Sequence, residues 1–136
     1  MTQSRTQRAR SRSALPGAWA EQRAWRLLRQ RGWRRLSSRW SCRWGELDLV
    51  VTKPGRLLVV EVKGRRRCGV DGWGVAALGT SKRRRLARAV SCWLAEHPEQ
   101  AQHTLEVVCA LVPLPPTAGA VRWLPLETLA AAQGEG

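Results

Sequence analysis

The sequence predicts an α/β domain with a mixed central sheet flanked by helices. Three observations carry this reading. Two runs rich in Val and Leu, residues 46–52 and 57–63, meet at Lys53-Pro54-Gly55-Arg56. Pro-Gly is a turn signal because Pro presets φ at one turn position and Gly accepts positive φ at the next. Two stretches with helical apolar spacing flank this hairpin, one ending at Gly32 and the other stopping before Pro98. A third apolar run, 104–112, follows the second helix, so the order is helix, three strands, helix, strand.

The first helix runs from Pro16 to Arg31. Trp19, Ala20, Arg23, Ala24, Leu27 and Leu28 form its apolar stripe, with the arginine stem lying along it, and Gly32 is its C-cap. Glu21 is the only acid in this helix, and an exposed ion pair with Arg26 is its simplest role. Trp33 to Cys42 reads as a strand in which Trp33, Leu36 and Trp40 alternate with Arg34, Arg35, Arg39 and Arg43. Trp interleaved with Arg makes either a stacking platform for bases or a core face with solvated arginines. After the hairpin, Gly64-Arg65-Arg66-Arg67 leads into a loop with Gly69, Gly72, Gly74, Gly79 and Trp73.

Thr80 or Ser81 is expected to cap the second helix, which continues to about Glu96. Leu86, Ala89, Val90, Trp93, Leu94 and His97 give its buried stripe, while Lys82, Arg83, Arg84, Arg85 and Arg88 lie on the opposite face. Four cations in the first turn oppose the helix dipole at ~0.3–1 kcal/mol each. A phosphate bound at that helix start would offset the cost; a solvated face is the alternative. Strand Thr104–Val112 comes next, then a loop over 113–120, a short strand over 121–124, and a final helix starting at Pro125 with a frayed tail over 133–136. His97 and His103 flank the Pro98 turn and read as structural.

With 136 residues the chain makes one domain, residues 15–136, behind a basic arm over 1–14. The arm is rich in Arg, Ser and Gln. We read it as disordered, adding nonspecific affinity for nucleic acid; a transit peptide is the alternative. Net charge is +14, and 21 of the 24 cations are Arg, which favours a polyanionic partner. No apolar run is long enough to span a bilayer, so no membrane partner is expected. Cys42, Cys68, Cys92 and Cys109 are scattered, without a Cys-X-X-Cys pair. That argues against a zinc knuckle or a disulfide scaffold and fits reduced thiols in a cytoplasmic protein.

The hairpin carries the informative charges. Asp48 interrupts an apolar strand, and the only other aspartate is Asp71. On the facing strand Glu61 and Lys63 share one face while Val60 and Val62 take the other. Pairing across the turn brings Asp48 near Glu61. Two carboxylates and an ammonium on buried strands are costly unless they serve one another or a metal. Grouped oxygen ligands suit Mg²⁺ or Mn²⁺; a structural ion pair is the alternative.

Asp48, then twelve intervening residues, then Glu61-Val62-Lys63, resembles the signature of the PD-(D/E)XK nuclease superfamily. The longer pattern, Gly45-Glu46-Leu47-Asp48-Leu49-Val50 with Leu58 to Lys63 and Arg65, resembles its YraN-like branch. The likeness spans residues 17–126. It implies a restriction-endonuclease-like αβββαβ core, related to Holliday-junction resolvases. It also implies metal-dependent hydrolysis of phosphodiesters, with Asp48, Glu61 and Lys63 catalytic and Asp48, Glu61 and Glu21 holding Mg²⁺ or Mn²⁺. Arg65, Arg66, Lys82, Arg83, Arg84 and Arg85 would then bind nucleic acid, with DNA favoured over RNA and the choice between them left open. A homodimer would suit a junction resolvase. Two other readings fit the same residues: a nucleic-acid binder that keeps the fold without cutting, and an assembly factor whose basic surface meets an acidic protein.

Overall fold

The computed structural model describes residues 15–65 and 79–126. The basic arm, Arg66, Arg67, the glycine loop with Trp73, and the helix expected beyond Pro125 lie outside the described residues. The elements are α1 (Leu15–Gln30), β1 (Arg34–Cys42), β2 (Gly45–Lys53), β3 (Arg56–Arg65), α2 (Thr80–Glu96), a 3-10 turn (Pro98–Gln100), β4 (Thr104–Pro113) and β5 (Arg122–Pro125). The strands stand in chain order, β1-β2-β3-β4-β5, in one sheet. Only β3 and β4 pair in parallel; the other neighbours are antiparallel. The fold is α/β with a mixed five-stranded sheet between two helices, consistent with a restriction-endonuclease-like core.

Alternation along the strands divides the interior into two layers. Leu49, Val51, Leu58, Val60, Ala110 and Val112 meet α1 through Ala20, Ala24 and Leu28. Val50, Leu57, Val59, Cys109 and Leu111 meet α2 through Leu86, Ala89, Val90 and Trp93. The strands are apolar on both sides because both faces are covered. Small alanines on α1 let that helix lie close to the sheet. The expected stripe holds except at Trp19, which is 40% exposed, with Arg23 over its ring at 5.9 Å.

Local chemistry sets the joints. Gly32 adopts φ 92°; its N–H donates to Arg29 O while Trp33 N–H reaches back to Leu28 O, the left-handed cap that ends α1. Gly55, at φ 78°, supplies the positive φ that the Pro54-Gly55 turn requires. The Thr52 hydroxyl donates to Arg56 O at 2.9 Å across that turn. Two expectations are corrected here. The residue preceding α2 is Gly79, and no side chain caps the helix, so Thr80 and Ser81 lie inside its first turn. Pro125 closes β5, paired with Val108, rather than opening a helix.

The tryptophans answer the stacking question. Trp33 is buried and carries Lys53 and Arg56 over its ring at 4.8 and 4.9 Å. Trp40 packs against the α2 layer. Trp93 Nε1 donates to Ser37 Oγ at 2.9 Å, and His97 stacks on Trp93 at 3.8 Å while its Nδ1 approaches Trp93 O. These residues serve the core.

A methyl group at Gly64 would sit 3.0 Å from both Leu114 Cδ atoms, and Leu114 is buried with its N–H on Arg65 O at 2.7 Å. Gly64→Ala should therefore destabilise the fold by about 1–3 kcal/mol through overpacking. Urea unfolding checks this, and an unchanged midpoint would refute it.

Candidate functional site

The site begins where a ladder ends. Pairing between β2 and β3 runs from Lys53–Arg56 to Leu49–Val60 and stops there. β3 continues on β4 as far as Arg65–Pro113, and β2 continues on β1 as far as Gly45–Cys42. The backbone N–H of Val62, which a continued ladder would give to a carbonyl of β2, instead donates to Asp48 Oδ2 at 2.8 Å. One side chain thus replaces a rung of the sheet.

Asp48 and Thr52 are the only buried polar side chains among the described residues. Val59 packs on the α2 side, and alternation puts Glu61 and Lys63 on that side with it. Asp48 and Glu61 come within hydrogen-bonding reach of each other. Burial pushes the Asp48 carboxyl up to about 8, and the Glu61 charge adds to it, while the Val62 N–H pulls the other way. Burial also raises Glu61, against the pull of Lys63 and Lys82. Such a pair titrates jointly.

Lys82, in the first turn of α2, reaches Lys63 and Glu61. Its ammonium is pushed down by the Lys63 ammonium beside it and by partial burial. A cleft of about 460 Å³ opens beside this group at Glu61 and Lys82, which line it with Trp44, Gly45, Glu46, Ser81 and Arg85; Asp48 and Lys63 do not line it. The helix cations therefore do not act as one block. Lys82 and Arg85 line the cleft, whereas Arg84 does not.

Glu21 stands to one side. Its Oε1 accepts from Arg39 Nε at 2.8 Å, so its partner is on β1 and not Arg26. Arg39 reaches it from a left-handed backbone, φ 51°, a conformation that costs a non-glycine residue of order 1 kcal/mol. A second cavity, also about 460 Å³, contains Glu21, Arg39, Ser41 and Cys42 and shares Gly45 and Glu46 with the first. Glu21 lies close enough for its charge to raise Asp48. Arg65 follows Lys63 on the same face of β3, and its Nε is buried without a hydrogen-bond partner. Glu106 lies elsewhere, in a two-bond ion pair with Arg56 at 2.8 and 3.0 Å near the Pro54-Gly55 turn.

Glu46 was not singled out by its sequence context, where it reads as part of the Gly45–Asp48 frame. In the fold it borders both cavities and its charge raises Asp48 and Glu61.

The donor set fits a hard divalent cation. Mg²⁺ is usually held through one or two carboxylates, keeping waters and taking phosphate oxygens. Asp48 and Glu61 supply two, and their mutual repulsion is what such a cation would relieve. Among the described residues no three His, Cys, Asp or Glu come together in a group that could hold a metal ion, so Glu21 does not stand as a third ligand beside Asp48 and Glu61.

The fold is consistent with the restriction-endonuclease-like class, and Asp48, Glu61 and Lys63 lie on one hairpin as the PD-(D/E)XK pattern has them. Residues 20–110 match the uncharacterised protein family UPF0102. The chain is 56% identical over 117 residues to a UPF0102 protein of Prochlorococcus marinus (strain MIT 9303), covering 86% of this chain and 93% of the relative. It is 55% identical over 114 residues to one from Parasynechococcus marenigrum (strain WH8102), covering 84% and 83%. Against one from Synechococcus sp. (strain CC9902) it is 50% identical over 119 residues, covering 88% and 98%. The chain belongs to family UPF0102, the YraN family. No helix among the described residues is long and apolar enough to cross a membrane.

The raised carboxylates set a pH dependence. Folded Asp48 holds its proton more tightly than the unfolded chain does, so the folded state binds more protons between about pH 4 and pH 8. Metal-free stability should be full below that window and decline across it as Asp48 gives up its proton. Asp48→Asn keeps an oxygen for the Val62 N–H and removes the charge. At pH 8 it should melt higher than the metal-free parent and lose any stabilisation by Mn²⁺. Thermal melts from pH 5 to pH 8, with and without Mn²⁺, check this; a variant that unfolds at every pH would mark Asp48 as structural.

Proposed function

We propose that this protein hydrolyses phosphodiester bonds in nucleic acid, DNA in preference to RNA, with Mg²⁺ or Mn²⁺ held by Asp48 and Glu61. The observation that carries the proposal is a buried Asp48 beside a half-buried Glu61 where the β2–β3 pairing ends, with Lys63 and Lys82 against them. A protein that only binds a polyanion gains nothing from carboxylates aimed at it.

Each residue has a role that its position supports. Asp48 is fixed by the Val62 N–H, so its free oxygen keeps one direction. Glu61 completes the oxygen pair. A divalent cation bound there supplies charge that polarises a phosphoryl oxygen and makes hydroxide available near neutral pH. Lys63, two residues along the same face, positions the attacking water and offsets the charge that develops on the phosphate. Lys82 and Arg85 line the cleft and hold phosphate oxygens, and Arg65 Nε has an unspent donor for the same purpose. Glu21 would join the cation as a third carboxylate on release from Arg39.

A binder that keeps the fold but does not cut is the second reading. It is favoured by the Arg39–Glu21 ion pair, which leaves two carboxylates at the site in place of three.

Cleavage of linear duplex, single-stranded, flapped and four-way-junction DNA, and of an RNA, tests the proposal in Mg²⁺ and in Mn²⁺. Cutting should require the metal and fall by at least ~100-fold in Lys63→Ala, about 3 kcal/mol of transition-state stabilisation. Absence of cutting on every substrate, with salt-sensitive binding retained, would select the second reading.

A further inference from the structure

The cleft does not end at Arg85. Its outer wall is Trp44, in the tight connection between Cys42 and Gly45. Two guanidinium groups lie over the Trp44 ring, Arg43 at 4.6 Å and Arg88 at 4.4 Å from its centroid. A continuous row therefore runs from the carboxylates through Lys82 and Arg85 to Trp44, Arg88 and Arg43. Lys82, Arg85 and Arg88 recur at intervals of three on α2, so they occupy one flank of the helix. From Lys82 to Arg88 the row advances about 9 Å, the axial length of two to three phosphates on one strand of a duplex at ~3.4 Å each.

A guanidinium stacked on an aromatic ring uses its face. Its N–H groups point outward from the edge and remain available for bidentate bonds to phosphate. Among the described residues no carboxylate pairs with Arg43, Arg85 or Arg88, in contrast to Arg39 and Arg56, which Glu21 and Glu106 hold. Two arginines converge on one indole, a repulsive arrangement that an incoming polyanion would relieve.

We propose that Arg43, Trp44 and Arg88 form a backbone clamp for a nucleic-acid strand, gripping the phosphates one to three nucleotides from the bond held at Asp48 and Glu61. This rests on the nuclease reading for the position of the cut but not for the grip itself. The partner is a nucleic-acid backbone read without regard to sequence, because the groups presented are guanidinium edges and the indole is covered by them. Trp44 orients the arginines and does not stack a base.

The test is the affinity of the full chain for a labelled 20-base-pair duplex in EDTA, measured by fluorescence anisotropy over a series of salt concentrations. Removing two phosphate contacts with Arg43→Gln/Arg88→Gln should weaken binding at least ~10-fold near 150 mM salt and lower the slope of log affinity against log salt by about 2. Trp44→Leu removes no charge, yet it frees both guanidinium groups and should weaken binding ~3-fold with little change in slope. Arg26→Gln/Arg29→Gln, a pair on α1, makes the same change in net charge and should cost less than ~2-fold. Equal losses in the two double variants, or parental affinity in Arg43→Gln/Arg88→Gln, would overturn the clamp. Duplex binding that behaves as expected without cleavage on any substrate would leave the clamp standing and remove only the nuclease. No binding of any nucleic acid by the parent protein would remove both.

Discussion

A single hydrogen bond, from the Val62 backbone to the Asp48 carboxylate, marks the point on which the rest of the site depends. A sheet extends itself by exchanging backbone bonds, and a buried donor left without a partner costs about 1–3 kcal/mol. By taking over one of those bonds, Asp48 lets β2 and β3 stop pairing without leaving Val62 unsatisfied. Glu61 occupies the place so opened, and Lys63 follows it one alternation later. The two strands continue on their other neighbours, so the site is held rigidly on both sides by paired sheet.

Helix placement follows from the same geometry. The parallel pair β3–β4 needs a connection that crosses a face of the sheet, and α2 supplies it, buried through Leu86, Ala89, Val90 and Trp93. The start of α2 then lies over Glu61, which brings Lys82 to the carboxylates. On the other face α1 is drawn in by Ala20 and Ala24, both fully buried. Its first turns thereby border the cavity that holds Glu21 and Arg39. Both layers of hydrophobic packing thus deliver polar groups to one end of the sheet.

Most of this was legible in the sequence, for physical reasons. Pro54-Gly55 dictated the hairpin, period-two alternation placed Glu61 and Lys63 on one face, and pairing across the turn brought Asp48 near Glu61. Gly32 ended α1, and Pro98 bounded α2. Other features left no local trace. The positive φ of Arg39 and the bulge at Leu36 come from tertiary contacts, so periodicity could not forecast the Arg39–Glu21 pair. Glu46 looked like framework because its importance arises from two cavities meeting. The cap of α2 was misread because Ser and Thr favour that position only when the chain enters the helix there, and it enters one residue earlier, at Gly79. Trp44 reads from sequence as a residue before a glycine; its arginines come from two different elements.

The outer strand β1 has a consequence of its own. An open sheet edge invites a strand from another molecule, through its unpaired N–H and C=O groups. Here that edge is interrupted at Leu36, where the register slips between Arg35 and Ser37, and again at Arg39, whose backbone turns left-handed. Arg34 and Arg35 stand exposed along it. A visiting strand would find no straight ladder longer than a few residues and would meet positive charge throughout. Two irregularities that look like defects in β1 act as insulation, keeping a strongly cationic, valine-rich sheet from polymerising edge to edge.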